Sequence, residues 1–136
     1  MGKDALHSVV EIIQTSLRIL AAVFFVVAGT FHFLKPEPYR QIIPPQFPAP
    51  QLLVIISGIA EIAGGIGLLI PSFRRWAGWG LVALLIAVFP ANFYMAEHPE
   101  RFQYSRWLLW GRLPLQVVFL VWVWFVAIRR RSRKDL

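Results

Sequence analysis

Residues 52–70 form an apolar run that holds a single ionisable side chain, Glu61, near its middle. Crossing the hydrocarbon of a bilayer takes about 20 mostly apolar residues. A run of this length and composition is therefore expected to fold as a membrane-spanning helix, with Glu61 close to the midplane. There an ionisable group costs at least about 2.5 kcal/mol unless it is paired, hydrated or protonated. Ser57, Gly58, Gly64, Gly65 and Gly67 surround it, and small residues let neighbouring helices approach closely. Glu61 is expected to face other helices and not lipid. If burial dominates, it is neutral; a partner such as Arg112 or His32 would keep it ionised.

The rest of the chain fits around that span. Hydrophobic residues make up 57% of the 136 residues and the mean hydropathy is +0.59, against about 45–50% apolar in a soluble domain. Four spans can be laid out, at about residues 15–34, 52–70, 77–96 and 107–128, in one domain over residues 1–136. Residues 1–14 read as a helical approach along the cytoplasmic face. The first apolar stretch is too long for the core of a cleaved signal peptide. In span one, Arg18 is placed to snorkel to the interface, while Ala22, Phe25, Gly29 and His32 share a face. The loop at residues 35–50 holds six prolines, which makes it stiff and suggests an ordered cap on the outer surface. Pro90 should kink span three by freeing the Ile86 carbonyl. Counted from Leu113, span four would be only about 24 Å long, short of a core of roughly 30 Å. It should therefore begin near Trp107 and bend at Pro114. The expected fold is all-α, a four-transmembrane-helix bundle with a basic tail at residues 129–136.

The formal charge of +7 resides mainly in loop and tail arginines, which argues for membrane flanks over a nucleic-acid partner. Lys3, Arg18, Arg74, Arg75, Arg129, Arg130, Arg131, Arg133 and Lys134 fall on one side. Lys35, Arg40, Arg101, Arg106 and Arg112 fall on the other. This bias places both termini in the cytoplasm, as in a multi-pass protein of a bacterial-type inner membrane. The absence of cysteine excludes disulfides, thiolate nucleophiles and thiol redox relays.

With this topology the polar residues lean to one side. His32 lies at the outer end of span one and Asn92 about a turn from the outer end of span three. Arg112 and Gln116, spaced i, i+4, share a face of span four. Glu61 lies deeper. The five are expected to converge on a polar pocket roofed by the proline-rich loop and floored by Glu61. Glu61 would be the acid or acceptor, Arg112 and His32 the mouth, Asn92 and Gln116 the orienting amides. The plainer alternatives are cross-helix hydrogen bonds for the two amides, a head-group anchor for Arg112 and a helix-end role for His32. Met95, His98 and His32 offer thioether and imidazole donors suited to copper, and two histidines can ligate a haem. Their spacing matches no recognisable metal motif, so no metal ligand is assigned. No Ser/His/Asp set is present, and no catalytic residue is assigned.

Several short motifs carry a resemblance: Gly29-x-x-His32-Phe33; Gly58-x-x-Glu61-x-x-Gly64-Gly65-x-Gly67-Leu68-Leu69 followed by Pro71; Phe89-Pro90-Ala91-Asn92-x-x-Met95-Ala96; and Arg112-Leu113-Pro114-Leu115-Gln116. Over about residues 18–122 the chain resembles the DoxX-like family of small four-helix membrane proteins. The resemblance implies a four-helix bundle and no single activity; members that look related include subunits associated with thiosulfate:quinone oxidoreduction, partners in membrane redox-defence complexes and accessory or chaperone-like proteins. Where relatives work through cysteines, this chain departs from them. The expected function is that of an accessory or binding subunit, not an enzyme on its own, with a quinone compatible with its pocket. Its partners would be the bilayer, another membrane protein or redox subunit, or further copies of itself. The alternatives are a small proton-coupled carrier using Glu61 and a membrane enzyme acting on a lipid or quinone.

Overall fold

The computed structural model describes residues 2–129; the tail from Arg130 onward lies outside them. Every regular element among the described residues is helical. In chain order they are α1 (Lys3–Leu34), α2 (Pro36–Gln41), α3 (Pro50–Leu69), α4 (Arg74–Ala87), α5 (Phe89–Glu97), a 3-10 turn (Pro99–Arg101), α6 (Arg106–Val123) and a closing π turn (Trp124–Ile128). Helix α1, helix α3, the α4–α5 pair and α6 with its π turn are each long and apolar enough to cross a membrane. The chain thus has the make-up of a multi-pass helical membrane protein.

Two boundaries differ from the sequence reading. Helix α1 is continuous over 32 residues, about 48 Å at 1.5 Å per residue, so the expected lead-in at residues 1–14 is its first turns. No proline or glycine interrupts it between Lys3 and Ala28. The third span is two helices that meet at Val88. Pro90, in the first turn of α5, cannot donate to a carbonyl behind it. The fourth span starts at Arg106, where Ser105 caps it by accepting from the Leu108 N–H at 3.2 Å. The helix continues through Pro114 and closes in the π turn. The proline-rich loop contains α2, whose Pro36 sits in its first turn. It ends at Ala49, held in the left-handed region at φ 47°.

Helix α1 packs most extensively on α3, and glycine is the reason it can. A Cβ on Gly29 would lie 2.7 Å from the Gly58 carbonyl oxygen, and one on Gly58 would lie 2.8 Å from His32 Cβ. Backbone therefore meets backbone at this crossing, which holds His32 and Glu61 against each other. The main core lies toward the end of the bundle that carries the termini. Ala21, Ala22 and Phe25 of α1 meet Leu68, Leu81, Val123 and Val126 there. A second, smaller cluster of Met95, Ala96 and Leu109 occupies the opposite end, with Ile42 of the loop packed against it.

The terminal end is stitched by polar contacts. Gln14 Nε2 donates to the Phe125 carbonyl at 2.9 Å, and Arg18 Nε donates to that of Val126 at 3.0 Å. Trp122 Nε1 donates to the Leu17 carbonyl at 3.1 Å. Carbonyls in the last turn of a helix have no partner further along it, and the i, i+4 pair Gln14 and Arg18 supplies donors to two of them. Arg18 therefore reaches inward across the bundle, where the sequence suggested an outward reach to the interface.

Candidate functional site

The far end of the bundle, opposite the termini, holds the polar residues singled out by depth. They form two groups. In the first, His32 from the last turn of α1 meets Glu61 from α3, with Nε2 3.5 Å from Oε2. The Gly29–Gly58 crossing brings them together: Gly29 and His32 are one turn apart on α1, Gly58 and Glu61 one turn apart on α3, and a Cβ on Gly29 would lie 3.0 Å from Glu61 Cβ. Glu61 faces helix α1, as expected of it. The His32 side chain is 9% exposed and that of Glu61 18%. His32 Nδ1 and Glu61 Oε2 are both buried without a hydrogen-bond partner. The Val54 backbone acts on the His32 ring electrostatically, outside hydrogen-bond geometry. The contact between His32 and Glu61 is thus one of proximity, not a hydrogen bond.

Tyr39 of α2 covers this pair. Its ring lies 4.0 Å from the His32 ring, centroid to centroid, in an edge-on arrangement. Burial pushes the Tyr39 phenol above its ordinary value, the charge of Glu61 pushes it further, and the charge of Arg112 opposes both. Tyr39 therefore lies within electrostatic reach of both an acid and a base. Three residues on, Ile42 packs on the Met95 cluster. The loop thus bridges the two halves of the far end.

The second group is built on α5 and α6. Asn92 Nδ2 donates to Gln116 Oε1 at 3.0 Å, and Gln116 Nε2 donates in turn to the Leu85 carbonyl. Leu85 lies in the last turn of α4, where the break before α5 leaves carbonyls without helical partners. Gln116, buried at 5% exposure, fills that need and Asn92 orients it. The two amides stitch the helix break and do not reach Glu61. Arg112 extends over the same region, with Nη1 3.6 Å from Met95 Sδ. A thioether is a weak acceptor, and no ion pair joins Arg112 to Glu61 among the described residues.

Of the five site residues read from sequence, His32 and Glu61 are in contact, Asn92 and Gln116 are bonded to each other, and Arg112 is bonded to neither pair. Tyr39 was legible only as an apolar-aromatic member of the cap. No periodicity links a short loop helix to a buried pair beneath it. Met95 is in contact with Arg112, and His98 Nδ1 lies 2.9 Å from the Tyr94 carbonyl. Among the described residues no three His, Cys, Asp or Glu side chains gather as a metal site would require. A groove of about 660 Å³ opens on the surface near α2 and the start of α3, with Arg40, Gln41, Gln51 and Ile55 in its lining. It includes none of the five.

Four apolar helices with a buried histidine–carboxylate pair under a loop define a small helical membrane protein with a polar site at one end. The chain belongs to the family described as a domain of unknown function, DUF8561, whose model matches residues 20–127. The match takes in His32, Tyr39, Glu61 and Arg112, and leaves Gln14 and Arg18 outside it. No curated protein and no solved structure matches the chain.

Proposed function

We propose that this protein is an accessory or binding subunit of a bacterial-type inner membrane, both termini cytoplasmic, whose far-end site holds the polar head of a small membrane-borne ligand. The observation that carries this reading is the His32–Glu61 pair. His32 Nδ1 and Glu61 Oε2, each buried without a hydrogen-bond partner, cost free energy that a stable protein normally avoids, and a bound head group would recover it. Tyr39 lies over the pair as a cover that a ligand must displace or stack upon. The DoxX-like resemblance points to a membrane redox system, quinone-linked, as the assembly served.

The geometry weighs against a carrier. Alternating access needs an opening at each end in turn, and the terminal end is tied by Gln14, Arg18 and Trp122 to carbonyls across the bundle.

The test is native mass spectrometry and absorption spectroscopy of the full chain purified in mild detergent. A small molecule is expected to copurify with the wild type. His32→Ala and Glu61→Gln should lose it while keeping the wild-type helical circular dichroism. A wild-type protein that carries nothing, alone or with an isolated partner complex, defeats the reading.

A further inference from the structure

Which head group the site suits follows from the charges that line it, given the binding reading above. Arg112 is a guanidinium in a span, exposed at the far end, whose hydrogen bond goes to a thioether. Guanidinium forks match carboxylate and phosphate oxygens. Glu61 is a carboxylate whose neighbour, His32, stands at 3.5 Å without a hydrogen bond. Its complement is a hydrogen-bond donor or a cation. Tyr39 and Ile42 of one loop segment reach the two groups, the first on His32 and the second on the Met95 cluster that Arg112 touches. Tyr39 therefore lies within electrostatic reach of both the acid and the base.

A simple anion drawn to Arg112 would meet Glu61, and a simple cation drawn to Glu61 would meet Arg112. A head group with both signs satisfies both. The Tyr39 ring adds a face on which an ammonium can rest, and the buried His32 Nδ1 adds one further polar contact. Phe31, Phe33 and Phe93 are exposed near the same end and offer apolar surface for acyl chains. We propose that the mouth formed by Glu61, His32, Tyr39 and Arg112 binds a zwitterionic aminophosphate head group, phosphate on Arg112 and ammonium on Glu61. The chemistry is that of phosphoethanolamine, whether carried by a lipid or free.

The full chain is reconstituted in nanodiscs of equal parts phosphatidylethanolamine and phosphatidylglycerol, re-extracted in mild detergent, and its retained lipid identified by mass spectrometry. Phosphatidylethanolamine should be enriched about tenfold over the bulk. Glu61→Gln and Arg112→Gln should each abolish the enrichment, and Arg112→Lys should keep part of it. Wild-type protein offered an N-acylated phosphatidylethanolamine, which lacks the ammonium, should show no preference for it. That arm needs no variant to fold. Displacement of the lipid by millimolar free phosphoethanolamine supports a site for the head group alone; enrichment without displacement supports a lipid site. Enrichment of phosphatidylglycerol, or equal retention of the N-acylated lipid, overturns the zwitterion while leaving the binding reading intact. A retained quinone with no head-group preference does the same. Retention of nothing above bulk overturns both.

Discussion

A carboxylate and an imidazole 3.5 Å apart inside a helical bundle invite attention to what lies over them, and Tyr39 is that residue. Its folded-state pKa is raised, by burial first and by Glu61 second. A group that holds its proton more tightly when folded contributes stability that is complete below its unfolded pKa, near 10. That contribution is lost as pH rises through the folded value. The wild type should therefore lose thermal stability between about pH 10 and 12 more steeply than Tyr39→Phe, which has no phenol to ionise. Parallel melting curves across that range would show that Tyr39 is not held as described. Gln116 makes a second residue-scale case. Gln116→Leu leaves the Leu85 carbonyl buried without its donor, at a cost of about 1–3 kcal/mol, to be read from detergent unfolding. Asn92→Leu should cost less, since Asn92 contacts Gln116 and not the carbonyl. The sequence left two readings for the amides, ligand orientation and plain cross-helix hydrogen bonds, and the second is what they make. It could not reveal that the α4–α5 break would put a needy carbonyl within their reach first.

At the scale of elements, the α1–α3 crossing positions the site. Gly29→Ala would force a Cβ to within 2.7 Å of the Gly58 backbone oxygen. Backbone on both sides leaves no flexible side chain to yield, so the cost should be about 1–3 kcal/mol, with loss of copurifying ligand as His32 and Glu61 are pried apart. Gly80→Ala is the control. It lies in α4 with nothing within 4 Å of its would-be Cβ, and alanine should stabilise the helix by up to about 1 kcal/mol. Equal destabilisation by the two substitutions would mean that the close approach is not what glycine provides at position 29. This crossing was legible in advance. Glycines clustered about one buried carboxylate signal a helix that must come close to another. The elements that were less legible have equally local causes. Span three divides because Pro90 withdraws a donor. Span four closes in a π turn whose carbonyls find Gln14 and Arg18 on α1. Partners drawn from more than a hundred residues away leave no trace in the spacing of either segment.

For the whole molecule, the two ends differ in kind. At the terminal end, donors from α1 are spent on the backbone of the last span, over a core of Phe25, Leu68, Leu81 and Val126. At the far end, a loop helix bridges two helical pairs around polar groups that are not all matched. On the proposed binding reading, the membrane side that the far end faces decides which pool of ligand the protein can reach. The excess of Lys and Arg on the terminal side predicts that this side is cytoplasmic. Single cysteines can test it cleanly, because the chain has none of its own. Ser8, near the start of α1, and Gln46, in the proline-rich loop, are both exposed. In intact spheroplasts a membrane-impermeant maleimide should label Gln46→Cys and spare Ser8→Cys until the membrane is permeabilised. The reverse pattern would place the site on the cytoplasmic face, where the proposed head group would have to come from the inner leaflet. Labelling of both from one side would contradict the four-span path, because the contacts of Gln14 and Arg18 with Phe125 and Val126 fix the termini at one end and the loop at the other.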